Sequence, residues 1–269
     1  MRVAVVQMNS RDDKVANLAK AEVLLTEAAA RGAELAVLPE LWSYLGPKER
    51  HARVAEPIPG PTSDFLAAIA RRHRFWLLGG SYLEAMADQP RLFNTSLALN
   101  PDGEIVARYR KLHLFDVDVN GHSYRESATM AAGGEVVAAE LCGVRVGLTI
   151  CYDLRFPELY RRLAVGGAKV ITVPSAFTRE TGKDHWEVLL RCRAIENQVF
   201  ILAAAQVGSH PPGRACYGNT LIADPWGVVL ARAGYQECVV TAELDLEYQE
   251  QVRKELPSLE HRRTDLFAF

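Results

Sequence analysis

At 269 residues, 49% hydrophobic and 24% charged, the chain has the make-up of an ordinary soluble protein with enough apolar mass for one large domain, residues 1–269. A formal charge of −2 and scattered Arg and Lys form no basic stripe, so nucleic acid and anionic membranes are excluded as expected partners, and no hydrophobic run nears membrane-spanning length. Met1 enters an apolar strand without a basic leader, and the five cysteines are odd in number, scattered and free of Cys-x-x-Cys pairing; neither a disulfide framework nor structural zinc is expected, and the cytoplasm is the expected compartment.

In chain order, residues 2–7 read as a core strand. Asp12 or Asp13 can cap a helix whose apolar positions Leu18, Ala21, Leu25 and Ala28 recur at three- and four-residue spacing, closed by Gly32. A short buried strand at 35–38 follows and delivers Glu40 at its carboxyl end. The segment 56–61 holds three prolines and is irregular, after which Thr62 can cap a helix over 63–73. A strand over 75–82 precedes a hairpin, 93–99 and 104–109, turned by Asn100-Pro101-Asp102-Gly103 and ending at Lys111. Residues 112–134 show no period and read as a long functional loop.

Strands and helices then alternate: strands at 135–141 and 144–150, a helix at 156–165, a strand at 170–173, a helix at 184–197 and a strand at 200–204. Asp184 and Glu187 resemble a capping box for the second helix. Strands at 219–223, 228–231 and 238–244, a polar helix at 245–255 and a basic tail, His261-Arg262-Arg263, finish the chain. Parallel connections mixed with hairpins suit stacked sheets flanked by helices, an α/β layered fold, better than one parallel sheet.

Cys151 ends the apolar run 144–150 and precedes Pro157, a residue tolerated in the first turn of a helix, so it falls at a strand-to-helix turn. A nucleophile there is held by a rigid strand, and the backbone N–H groups that follow can receive developing negative charge. Glu40 and Lys111 also stand just past apolar strands. Singly, each has a plain reading: a buried structural thiol, a solvated strand-end carboxylate, part of an exposed basic run. Together they form a complete acyl-transfer set, because a carboxylate can take the thiol proton and an ammonium can favour thiolate and stabilise a tetrahedral oxyanion.

The segments Leu38-Pro39-Glu40, Tyr109-Arg110-Lys111-Leu112-His113 and Cys151-Tyr152-Asp153-Leu154-Arg155-Phe156-Pro157 resemble the three signature blocks of the nitrilase, or carbon–nitrogen hydrolase, superfamily. Pro174-Ser175-Ala176-Phe177, Asp224-Pro225-Trp226-Gly227 and His261-Arg262-Arg263-Thr264-Asp265-Leu266 are similar to its Nit-type amidase branch. The resemblance covers nearly the whole chain. It implies a four-layer α-β-β-α sandwich with Glu40 as general base, Lys111 as oxyanion stabiliser, Cys151 as nucleophile, Glu126 beside the lysine and the Tyr152 N–H as a second oxyanion donor. It implies no metal or organic cofactor, a small-molecule amide as substrate, and at least a homodimer, for which the apolar tail residues Leu266, Phe267 and Phe269 in the segment 256–269 give a physical reason.

For substrate recognition, Arg155 is the candidate carboxylate clamp, with Phe177 and Thr181 as an apolar wall and a hydroxyl, while a plain ion pair of Arg155 with Glu158 is the competing reading. Details around 203–208 and 214–218 place the resemblance nearer amidases of deaminated glutathione than omega-amidases of 2-oxoglutaramate. Against these stand a cysteine phosphatase, which lacks its arginine because Pro157 occupies that position, and a Cys–His protease, for which His113 is the one tempting partner. Nucleotide-binding glycine motifs are absent from the sequence. A catalytically silent scaffold on the same fold is the non-enzyme alternative.

Overall fold

The computed structural model describes residues 1–119 and 121–267; Phe269, singled out above, lies outside them. Among the described residues one sheet runs, in spatial order, Cys238–Glu243, Arg2–Gln7, Leu35–Val37, Trp76–Leu78, Phe93–Leu99 and Tyr82–Glu84, with Ile105–Arg110 also paired to Phe93–Leu99. The second runs Val229–Arg232, Leu221–Ala223, Phe200–Ala203, Val170–Thr172, Val144–Leu148 and Ala138–Leu141. In each, three central strands are parallel and antiparallel partners close the sides.

The first strand shows why these runs fold this way. Val3 and Val5 join the core between the sheets, whereas Ala4 and Val6 join the core under the helices Lys14–Ala30 and Pro61–His73, so both faces are buried and the strand reads as a continuous apolar run. The second sheet is covered by the helices Pro157–Val165 and Arg179–Asn197 through Leu159, Leu163, Trp186 and Leu190. The result is the four-layer α-β-β-α sandwich. Asp13 caps the first helix by accepting from Ala16 N at 3.0 Å. No helix among the described residues is long and apolar enough to cross a membrane.

Several local expectations are corrected. The second long helix begins at Pro61, with Gly60 at the cap, because the ring of Pro61 suits a first turn; Ser63 Oγ, not Thr62, accepts from Gly60 N at 2.8 Å. The run 75–82 divides into Trp76–Leu78 and Tyr82–Glu84, since Gly80 takes φ 57° between them. The strand expected from residue 135 covers only Ala138–Leu141. The helix expected at residue 184 starts at Arg179, and Asp184 lies inside it. Gly182 in its first turn is a close-packing glycine, for a Cβ there would stand 2.4 Å from Tyr217 Cβ.

Two hairpins were not anticipated. Asp116–Val119 pairs with His122–Arg125 inside the supposed loop; the strands are short and largely exposed, with Val117 opposite the buried Tyr124. Val207–His210 pairs with Arg214–Tyr217 around Pro211-Pro212-Gly213. In the tail, Leu256, Leu266 and Phe267 are exposed.

Candidate active site

Glu40 follows the Leu35–Val37 strand and is held by backbone. Ser81 N donates to Pro39 O at 3.1 Å and Leu41 N to Ser81 Oγ at 3.1 Å. Gly80 permits this approach: a Cβ at Gly80 would lie 2.1 Å from Pro39 O. Gln206 Nε2 donates to Glu40 O at 2.9 Å and to Ser10 Oγ at 2.9 Å, tying the turn across both sheets. The carboxylate, 3% exposed, accepts from Asn94 Nδ2 at 2.8 Å and Lys111 Nζ at 3.0 Å on one oxygen and from Ala176 N at 2.8 Å on the other.

Lys111 leaves the Ile105–Arg110 strand and is 2% exposed. A buried ammonium needs compensation. Besides Glu40, its Nζ donates to both oxygens of Glu126 at 3.1 and 2.9 Å, while Phe115 N donates to Glu126 Oε2 at 2.7 Å. Burial by itself would lower the Lys111 pKa, but Glu126 and Glu40 outweigh it and raise it well above the ordinary lysine value. The ammonium is therefore permanently charged and shared between two carboxylates.

Cys151 opens a short 3₁₀ turn, Cys151–Arg155, at the end of the Val144–Leu148 strand. Its φ of 48° is left-handed, a strained conformation costing a non-glycine residue about 1–3 kcal/mol, and such strain clusters at functional sites. Cys151 N donates to Pro174 O at 2.9 Å. Asp153, fully buried, clamps the turn to the Lys111 segment: its Oδ2 accepts from Ile150 N at 2.9 Å and Tyr109 OH at 2.6 Å, and its Oδ1 accepts from His113 N at 3.0 Å. His113 Nδ1 also lies 2.7 Å from that Oδ1, and its ring stacks on Phe156 with centroids 3.6 Å apart. His113 is thus engaged away from Cys151, which removes the protease reading its base.

Burial first, then the negative charge of Glu40, pushes the Cys151 thiol well above its ordinary range, and Lys111 pulls the other way without prevailing. Burial and Glu40 thus favour the protonated thiol over the opposing pull of Lys111, and in this arrangement a base has to take the proton during attack. Glu40 is the carboxylate beside it.

Glu40, Lys111, Glu126 and Cys151 line a cleft of about 230 Å³, together with Tyr152, Arg155, Phe177 and Thr181. The structure thus brings all eight sequence-predicted residues to one cavity. Arg155 makes no ion pair with Glu158; its guanidinium lies over Phe177 at 5.2 Å and contacts His185 Nδ1 at 3.4 Å. Thr181 sits in the first turn of the Arg179–Asn197 helix, not in a loop, with its hydroxyl 2.8 Å from that of Thr178. Sequence reading missed Asn94, Lys48 and Arg214. Asn94 had a signal, three consecutive polar residues within an otherwise apolar strand; Lys48 and Arg214 are loop-flanking cations with none. Among the described residues no group of His, Cys, Asp or Glu side chains is arranged to hold a metal ion.

A thiol, a carboxylate and a locked ammonium lining one cleft can carry out acyl transfer. Residues 2–254 match the family model "Carbon-nitrogen hydrolase". The deaminated glutathione amidase of Synechocystis sp. (strain PCC 6803 / GT-S) is 44% identical over 264 residues, spanning 96% of this chain and 97% of that protein. Omega-amidase NIT2 of Danio rerio is 38% identical over 268 residues, 99% of this chain and 96% of the other. In the crystal structure of the C. elegans NitFhit protein, 37% identical, a similar fold superposes with a TM-score of 0.93 over 99% of this chain and 66% of that longer one.

Proposed function

Because the chain belongs to the carbon–nitrogen hydrolase family, we propose that this amidase hydrolyses deaminated glutathione through an acyl-enzyme on Cys151. The observation that carries the mechanism is the meeting of Cys151 with the buried, fully hydrogen-bonded pair Glu40 and Lys111 in one cleft. Glu40 takes the thiol proton as Sγ attacks the amide carbonyl. The oxyanion develops beside Lys111 Nζ and the Tyr152 N–H, and its collapse expels the amine with the proton Glu40 had taken. Water then enters, Glu40 removes its proton, hydroxide adds to the thioester, and collapse of the second adduct releases the acid and returns the proton to Sγ. Glu126 keeps Lys111 charged and oriented throughout.

The 44% identity to the Synechocystis enzyme supports deaminated glutathione as substrate, and Arg155 within the cleft suits its 2-oxo acid carboxylate. A second reading, omega-amidase action on 2-oxoglutaramate, is supported by the 38% identity to the Danio rerio enzyme. Both substrates share the 2-oxo acid joined to a γ-amide and differ in the amine released. The exposed tail residues Leu256, Leu266 and Phe267 support a homodimer or larger homo-oligomer that covers them, and five free thiols suit a cytoplasmic location. The test is kcat/KM for the two substrates, with mass spectrometry of Cys151 under quench. Deaminated glutathione should be preferred and an acyl adduct should accumulate on Cys151; preference for 2-oxoglutaramate reverses the substrate, and turnover in Cys151→Ala removes the nucleophile.

A further inference from the structure

The rim of the cleft carries a second feature that the acid end of the substrate does not use. From Arg155 one arc of rings runs along it: the guanidinium stands 6.0 Å from the Tyr152 ring, Tyr152 lies 5.0 Å from Phe115, and Phe115 lies 5.0 Å from Tyr124. That arc ends at Arg214, whose guanidinium covers Tyr124 at 4.6 Å. A second arc returns by backbone. Arg214 begins the strand Arg214–Tyr217, Cys216 of that strand bridges to Thr178, and Thr178 adjoins Phe177, over which Arg155 stands at 5.2 Å. The two arginines are thus joined by two separate chains of contacts, and both line the cleft that Cys151 also lines.

Lys48 belongs to the Arg214 side. It lines the same cleft, its Nζ donates to Arg125 O at 2.6 Å, and Arg214 is near enough to lower its pKa, second to burial. Among the described residues neither Lys48 nor Arg214 has a carboxylate within ion-pair distance, although Glu126, Asp116 and Glu49 are near enough to Lys48 to oppose the effect of Arg214. Glu126 is taken by Lys111. Two like charges held near one another without a direct ion pair repel, and an anion that bridges them relieves that repulsion.

The geometry also orders the two ends. Arg155 is half-buried on the Cys151 turn itself, while Arg214 is exposed on the solvent side. During the reaction the acyl group stays tethered to Cys151 and the amine must leave for solvent before water enters. The acyl end accordingly belongs with Arg155 and the departing amine with Arg214.

We infer that Arg214 and Lys48 form a leaving-group subsite for an anion, so that the cleft selects amides carrying a carboxylate on the amine side as well as on the acyl side. The inference rests on the amidase reading above and deepens it, for a dipeptide leaving group bears such a carboxylate and ammonia does not.

The test uses a series sharing the 2-oxoglutaryl acyl group and differing in the amine: ammonia, propylamine, β-alanine and cysteinylglycine. In the wild type, kcat/KM for the β-alanine amide should exceed that for the neutral propylamide about tenfold. That ratio should collapse toward one in Arg214→Gln combined with Lys48→Gln. Arg155→Met should instead lower kcat/KM across the whole series and leave the ratio standing. A ratio near one in the wild type, or one that survives in the double variant, overturns the subsite while leaving the amidase reading intact. Absence of turnover and of any Cys151 acyl adduct with every amide overturns both.

Discussion

The floor and the rim of the cleft are built on opposite plans. On the floor, every charge is buried and satisfied within the chain: Lys111 is bound by Glu40 and Glu126, and Glu40 also accepts from Asn94 and from Ala176 N. At the rim, Arg155, Lys48 and Arg214 lie on aromatic faces or backbone carbonyls and have no carboxylate partner among the described residues. The difference reflects what each region must do. A buried charge without partners costs several kcal/mol, so the floor has to be completed by the protein itself and is rigid before substrate arrives. Solvent tolerates unpaired cations at the rim, which leaves their bonds for a ligand.

If this division holds, substitutions on the floor remove chemistry and substitutions at the rim change selection. The largest effect is expected for Cys151→Ala, which should abolish hydrolysis with an unchanged circular dichroism spectrum. Lys111→Met should lower kcat roughly a hundredfold or more, by comparison with loss of a single oxyanion donor. Lys111→Met altering KM alone would place the lysine with the rim in function.

Glu40→Gln separates reactivity from turnover. Glu40 raises the Cys151 pKa and Lys111 lowers it, so removing the carboxylate charge should bring the thiol pKa down. Hydrolysis should fall roughly a hundredfold or more through loss of the base, while alkylation of Cys151 by iodoacetamide near neutral pH should become faster. Slower alkylation in Glu40→Gln would show that the charge of Glu40 does not govern the thiol.

The smallest effect concerns stability. Cys151 and Lys111 both have folded-state pKa values above their ordinary 9.0 and 10.5, and burial pushes Cys142 up to about 12. For each such group the unfolded chain loses its proton first. Their contribution is complete below about pH 9 and declines as pH rises above it. The melting temperature should fall above that point, and Cys142→Ser should blunt the fall by removing one contributor. A melting temperature rising from pH 9 to 10.5 would contradict this assignment.

Much of the fold was legible because its strands are buried on both faces and its helices repeat at three- and four-residue spacing. The run Val3-Ala4-Val5-Val6 could hardly be anything but a central strand. The hairpin Asp116–Val119 with His122–Arg125 was not legible, since its strands are only four residues long and its apolar face is limited to Val117, Val119 and Tyr124, with pairing supported by contacts such as Arg125 to Asp118 at 2.6 Å. The true start of the Arg179–Asn197 helix was hidden for a related reason: Gly182 reads as a breaker until Tyr217 is seen packed against it.

At the site, position along the chain gathered Glu40, Lys111 and Cys151 as strand-end candidates whose residue types suit acyl transfer, and the resemblance to the nitrilase superfamily is what assigned each its expected role. What the sequence alone determined is therefore the layered α/β arrangement, written in local patterns of burial and strand ending, and, through its signature blocks, which groups are the candidates for reaction. The resting protonation of the thiol, the clamp by Asp153, the support from Asn94 and the sharing of one cleft by Arg155 and Arg214 were decided only by tertiary structure. Each depends on distances between segments far apart in the chain, and electrostatic and hydrogen-bond energies are set by those distances and by burial, which no local pattern encodes.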